Sequence, residues 1–465
     1  MAKKKKTVFV CQECGYESPK WMGQCICGAW NSFVEEALPE VPADDRRRRS
    51  VGTDSGRGPR SRPLPEIEVS AARERLATGI GELDRVLGGG LVQGSLTLIS
   101  GEPGIGKSTL IMQAADHIAH RSGRVLYVTG EESEAQVRLR ADRICSDLSD
   151  RFYVLAETSI ENITAACAEQ QPVFLIIDSI QTVYTADLDS APGSVSQVRA
   201  CCNELMRIGK VQGIPVFLVA HVTKSGELAG PKTVEHMVDC VLHFTGERSR
   251  ELRLLRSFKN RFGTTAEVGA FEMGAGGLVE IHDLSRRFLE DLEEDTEGSV
   301  VTATYEGTRP LLMEVQALAA PTNLNFARRT AIGIENSRLS MIVAVLERRA
   351  GMSLTSQDIY VSVVGGLRPQ GTSTDLAVAL AIHSSCSGRP CGRDTLALGE
   401  IGLTGELKGV PSADKIVREA ARMGFRRVIL PQSQASRLRV KEDIRLQGVR
   451  ELREAIAVAE QGRTD

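Results

Sequence analysis

The run LISGEPGIGKSTLIMQ, residues 98–113, limits what this chain can fold into more than any other stretch. Gly101, Gly106, Lys107 and Ser108 satisfy G-x-x-x-x-G-K-[ST] in full. SLTLIS (95–100), just before it, is short and apolar with β-branched residues, the pattern of a buried strand. Residues 108–120, just after it, have helical apolar spacing. Between a strand and a helix, such glycines let backbone N–H groups turn inward around phosphate oxygens, and the helix N-terminus adds partial positive charge. The loop of Gly101, Glu102, Pro103, Gly104, Ile105, Gly106, Lys107, Ser108 and Thr109 is therefore expected to hold ATP. Lys107 is expected to reach the β- and γ-phosphates, and Ser108 to hold Mg²⁺.

Other strand ends supply the remaining chemistry. VFLIIDS (173–179) ends in Asp178, expected as a second Mg²⁺ partner through water. YVTGEES (127–133) ends in Glu131 and Glu132. A carboxylate there suits the activation of a water that attacks the γ-phosphate, with Glu132 placed ahead of Glu131 on strand-end position. Acids that merely stabilise a helix N-terminus are the alternative. FLVAHVTKSGELAGPK (217–232) puts His221 at another strand end, as a candidate γ-phosphate sensor. The loop after His221 reads equally as a surface facing a polymer or as a solvated connection. In SFKNRFG (257–263), Lys259 and Arg261 are two apart, so on an extended chain they point to one side, and Gly263 permits a turn. Solvated charges at a strand end are the alternative.

Four of the 11 cysteines fall within residues 11–27. Cys11 and Cys14 form C-x₂-C, and Cys25 and Cys27 form C-x-C. Two close pairs read as a four-thiolate Zn²⁺ site that folds a segment too small for its own core. A disulfide or a degraded site remains open. The other cysteines lie in apolar runs, where a buried thiol is the simplest reading.

At 465 residues, two or three domains are expected. Residues 1–36 are assigned to the zinc finger, and 37–66, rich in Pro, Gly, Asp and Arg, to a linker. From 67 to 288, apolar strands alternate with helices, which predicts an α/β core with a mostly parallel sheet. VDCVLHF, ELRLLRSFKN and AEVGAFEM at its end are spaced like antiparallel hairpins. After the acidic EDLEEDTEGS (290–299), residues 300–465 mix strands with helices near 336–350, 374–386, 411–424 and 449–460, a second α/β domain. The net charge of −3 gives no global argument for nucleic acid, and 4% aromatics disfavour a base-stacking surface of many rings. KKKK (3–6) and RRRR (46–49) suit a polyanion partner or plain solvated tails. With no apolar run of spanning length and no signal-peptide core, a cytoplasmic protein with no membrane partner is expected.

FVCQECGYESPKWMGQC, GELDRVLGGGL, TGEES and SFKNRFG, in this order, resemble the bacterial RadA/Sms family of DNA repair proteins related to RecA. The resemblance covers nearly the whole chain. It implies a zinc finger, a RecA-like P-loop ATPase core and a C-terminal domain similar to the Lon protease domain. It also implies a hexameric homo-oligomer that moves on single-stranded and branched DNA beside a RecA-type recombinase. In that setting Lys259 and Arg261 would reach the γ-phosphate bound by a neighbouring subunit. Two departures stand out. The family's second zinc pair is usually C-x₂-C, not C-x-C. GTSTDLAVALA puts Ser373 at the position of the Lon serine, but Asp414 stands at the lysine position, with Lys415 beside it. One residue along a helix is a turn of about 100°, so a Ser–Lys dyad and peptidase activity are not expected. An ATP-dependent Lon-like protease and a KaiC-like regulatory ATPase are the alternative functions.

Overall fold

The computed structural model describes residues 7–11, 16–37, 63, 75–220, 232–246, 252–290, 292, 296–322, 326–364, 369, 371–440 and 442–461. Contacts divide the chain into two units, Met1–Ile281 and His282–Asp465. The proposed linker lies almost wholly outside the described residues.

In the N-terminal segment, β1 (Thr7–Cys11), β2 (Glu17–Ser18) and β3 (Phe33–Ala37) form an antiparallel sheet in the order β2-β1-β3. The small apolar cluster there includes the thiols themselves, Cys11 and Cys25, with Phe33.

The rest of the first unit is built on a nine-stranded sheet. In chain order its elements are β4 (Arg75–Leu76), α1 (Gly81–Leu87), β5 (Leu91–Val92), β6 (Leu96–Gly101), α2 (Lys107–Arg121), β7 (Val125–Thr129) and α3 (Glu134–Ile144). Next come β8 (Phe152–Ala156), α4 (Ile160–Gln170), β9 (Phe174–Asp178), α5 (Val195–Gln212), β10 (Val216–Val219) and α6 (Lys232–Met237). Strands β11 (Cys240–Thr245), β12 (Leu252–Asn260), β13 (Val268–Gly274) and β14 (Gly277–Glu280) finish it. The β4 and β5 pair stands apart, and the sheet order is β14-β13-β12-β11-β6-β10-β9-β7-β8.

Its strands read as continuous apolar runs because both faces are covered. Leu98, Val128, Ile177 and Leu218 enter one core, while their neighbours Ile99, Tyr127, Ile176 and Phe217 enter the other. Each such side chain, fully buried, contributes about 1.5–3 kcal/mol. The expected parallel sheet is present and takes in one further strand. β11, expected in an antiparallel hairpin, pairs that way with β12 and also runs parallel to β6. The connection from β10 carries α6 and is long enough to return the chain in the parallel sense.

The second unit begins earlier than residue 300. The helix α7 (Leu284–Phe288), expected in the ATPase core, belongs here, where Ser285 Oγ accepts the Leu312 N–H at 3.2 Å. Strands β15 (Ser299–Glu306), β16 (Arg309–Pro321), β17 (Arg329–Ile332), β18 (Gln357–Val363), β19 (Thr395–Ala397), β22 (Arg427–Pro431) and β23 (Arg445–Val449) form its main sheet. β20 (Glu400–Ile401) and β21 (Leu407–Lys408) form a separate hairpin. The run LALGEIGLTG, expected as one strand, is thus divided between β19 and β20. The four expected helices appear as α8 (Asn336–Val345) with a π-helical turn at Leu346–Ala350, α9 (Asp375–Ser387), α10 (Ala413–Arg422) and, after a short α11 (Gln432–Ala435), α12 (Leu452–Gln461). The helix α9 is apolar on all sides and is buried from Asp375 to Ile382.

Candidate functional site

The P-loop leaves β6 at Gly101 and enters α2 at Lys107. A Cβ on Gly101 would stand 2.5 Å from the Phe244 carbonyl oxygen, so no side chain fits there. Gly106 has φ +112°, and a Cβ on it would stand 2.9 Å from Met273 Cε. Lys107 is 3% exposed. Its Nζ donates to the carbonyls of Gly101 at 2.8 Å and Glu102 at 3.0 Å. Burial pushes its amine down to about 8, against the pull of the Asp178 and Glu131 carboxylates.

The loop opens on a cavity of about 410 Å³. Gly106, Lys107, Ser108 and Thr109 line one side, and Glu131, Glu132 and Asp178 another. The strand ends thus bring together the residues that the sequence placed there. Glycine backbone that no side chain could replace, a lysine folded onto it and carboxylates opposite suit a Mg²⁺-bound triphosphate.

The two glutamates differ. Glu131 Oε1 accepts the Ser179 hydroxyl at 2.7 Å, beside Asp178. Glu132 Oε1 instead accepts from Arg140 Nη1 at 2.9 Å. Neither sits in the first turn of α3. Ser133 is the N-cap and closes a capping box with Gln136, so the helix-dipole role falls to Glu134. Arg140 Nη2 also donates to the Tyr127 hydroxyl at 3.1 Å, and that hydroxyl donates to Asp178 Oδ2. Burial holds the Tyr127 phenol well above its ordinary range, with the Asp178 charge adding to it. Tyr127, Arg140, Arg143 and Ser179 escaped the sequence reading. The legible signal was two arginines three apart on the helix after the glutamate pair, hence on one face. His221 and the loop after it lie outside the described residues.

Lys259 and Arg261 are not at this cavity. Asn260 is level with Cys240, and Cys240 with Thr97, at the start of β6. Gly101, at the P-loop end, is level with Phe244. At the rise of a strand, the two levels are about 13 Å apart. Lys259 Nζ donates to the carbonyls of Glu235 at 2.8 Å and His236 at 3.1 Å, and Arg261 Nη1 pairs with Asp239 at 3.0 Å. Both therefore lean on one segment, as their spacing suggests. The turn that carries them is tied to α1. Asn260 Nδ2 donates to the carbonyls of Val86 and Leu87, and its Oδ1 accepts the Phe262 N–H at 2.9 Å. Arg75 donates to the carbonyls of Leu87 at 3.1 Å and Phe262 at 2.6 Å. The bonds to Val86 and Leu87 use carbonyls that the end of a helix leaves without an intrahelical partner.

In the N-terminal unit, the sulfurs of Cys11, Cys25 and Cys27 lie within 4.8 Å of one another, and Cys14 lies outside the described residues. Tetrahedral Zn²⁺ with thiolates sets sulfurs about 3.8 Å apart. Cys11 and Cys27 are 3.9 Å apart, so the set fits the ion, and neither is in a disulfide. The short C-x-C pair is accommodated by a tight turn. Cys25 N donates to the Ala29 carbonyl at 2.8 Å, and Gly28 takes φ +92°.

In the second unit, Ser373 is buried, and two residues on Asp375 pairs with Arg338 at 3.0 Å. An arginine does not give up its proton and cannot serve as a base. Lys415, exposed, instead donates from Nζ to the Tyr305 hydroxyl at 2.6 Å.

Three family profiles match: AAA domain over residues 60–227, Subunit ChlI of Mg-chelatase over 323–434, and Rubredoxin metal binding domain over 9–35. The DNA repair protein RadA of Bacillus subtilis is 48% identical over 454 residues, 97% of this chain and 98% of its own. That of Halalkalibacterium halodurans is 50% identical over 457 residues, 98% of this chain and 99% of its own. A crystal structure of the RadB recombinase aligns with 44% of this chain and 100% of its own at 21% identity and a TM-score of 0.36, too slight a likeness to bear on the fold. Identity near one half over almost the full length shows the family: this chain belongs to the RadA family of DNA repair proteins, with a zinc-ribbon segment, a RecA-like ATPase core and a Lon-like C-terminal domain.

Proposed function

We propose that this chain is an ATP-driven motor on DNA, acting as a hexameric ring in recombination and repair. It would bind single-stranded DNA, migrate branched intermediates beside a RecA-type recombinase, and work in the cytoplasm. No helix among the described residues is long and apolar enough to cross a membrane. The observation that carries the reading is the placement of Lys259 and Arg261 at the sheet end away from their own P-loop. Cations there serve hydrolysis only by reaching another chain's nucleotide, and a ring provides that chain.

At the site, Lys107 exchanges the Gly101 and Glu102 carbonyls for β- and γ-phosphate oxygens. Ser108 and, through water, Asp178 would hold Mg²⁺, which would supply charge neutralisation there. Glu131, whose Oε1 accepts the Ser179 hydroxyl beside Asp178, takes the proton of the attacking water. His221 is assigned to sensing the γ-phosphate.

The test is ATPase rate against single-stranded DNA over a salt series, with the mass of the assembly measured alongside. The rate is expected to rise with DNA and the response to weaken steeply as salt increases, since phosphate contacts release counterions. A rate indifferent to DNA at low salt would favour the regulatory ATPase.

The N-terminal cysteines are proposed to hold Zn²⁺. Cys11→Ala is expected to lose bound zinc, measured by elemental analysis, and to unfold the ribbon while the ATPase core keeps its thermal transition. A single collapse of the whole chain would tie the ribbon into that core.

A further inference from the structure

The nucleotide cavity holds cations that the P-loop motif does not account for. The cavity face of α3 carries Arg140 and Arg143. Arg140 stands at the terminal-phosphate end, because only the Tyr127 hydroxyl separates it from Asp178. Its guanidinium is 19% exposed and ion-paired with Glu132. Its Nε is buried and has no hydrogen-bond partner among the described residues. A planar fork with a donor unspent suits a phosphate better than the single carboxylate it now meets.

We propose that Arg140 reads the terminal phosphate of bound ATP by exchanging Glu132 for a phosphate oxygen. Without nucleotide, Glu132 and Tyr127 hold the guanidinium in place. A γ-phosphate arriving between Lys107 and Asp178 brings negative charge beside Glu132, repelling the carboxylate and attracting the arginine. ADP brings no charge to that spot and leaves the pair closed. A ligand shifts such an equilibrium only by its differential affinity for the two arrangements, so the exchange separates triphosphate from diphosphate. The inference rests on the ATPase reading of the cavity.

The experiment is calorimetry on the full chain with Mg²⁺, using a non-hydrolysable ATP analogue and ADP. Arg140→Ala is expected to weaken the analogue about 10-fold or more, the worth of one charged hydrogen bond, while ADP changes by less than about 2-fold. Arg140→Lys restores part of the loss. Glu132→Gln releases the arginine and raises the preference for the analogue over ADP. Equal losses for both nucleotides in Arg140→Ala would make the arginine a structural strut and overturn the proposal. If Arg140→Ala does not fold, Glu132→Gln decides alone, and an unchanged or lowered preference overturns it. Lys107→Ala is run in parallel. If that variant keeps wild-type affinity for both nucleotides, the P-loop reading has failed rather than the role of Arg140.

Discussion

Lys107→Ala abolishes tight ATP binding. The amine is buried and spends its hydrogen bonds on two loop carbonyls, so phosphate oxygens can take their place without rearranging the loop. Losing a cation that meets two phosphates costs about 3 kcal/mol or more, which is about 100-fold or more in affinity. Calorimetry reads this directly, and undiminished affinity would overturn the assignment of the loop. A pH signature accompanies it. Burial pushes the amine down to about 8, and phosphates favour its charged form. Binding above that pH therefore takes up a proton, so affinity is flat below about 8 and falls as pH rises past it. The Lys107→Ala variant lacks this slope.

Arg261→Ala and Lys259→Ala retain ATP binding and ring assembly but lose DNA-stimulated hydrolysis. A cation supplied by a neighbouring chain to the transition state is worth about 10³–10⁵ in rate. Both side chains rest on the 235–239 segment of their own chain, so truncation leaves the local cavity intact. Mixing two inactive proteins gives the sharper result. Rings of Lys107→Ala and Arg261→Ala chains contain interfaces that pair an intact P-loop with an intact Arg261, and these recover part of the activity. Mixed rings verified by mass that recover nothing at any ratio would remove Arg261 from its role in trans.

Local order is what the sequence carries well. The P-loop, Asp178 and the glutamate pair are each one strand and one turn long, and strand ends of a parallel sheet meet along one edge. Their convergence on one cavity was therefore readable. The different surroundings of Glu131 and Glu132 were not, because they depend on a guanidinium two turns along α3 that pairs with Glu132 and on a serine hydroxyl that meets Glu131. Tyr127 escaped for a different reason. In the sequence it is one more aromatic in a buried strand, and only its register beside β9 brings its hydroxyl to Asp178. The C-x-C pair was read as half of a metal site, and a turn through Gly28 brings both sulfurs to Cys11. β11 was read from its neighbour β12 and not from β6, which lies far away in sequence and next to it in space.

Asn260 bonds the Val86 and Leu87 carbonyls at the end of α1, and Arg75 bridges the carbonyls of Leu87 and Phe262, which fastens the K-N-R-F-G turn to α1. A turn tied in this way is a tooth on a rim, not a whip. In the proposed ring it would meet an adjoining chain without the entropic penalty of ordering a loop. Its backbone has no reach of its own, so the gap between tooth and phosphate would be set by how one whole chain seats against the next. Hydrolysis would then keep time with that seating, as a ratchet keeps time with its wheel.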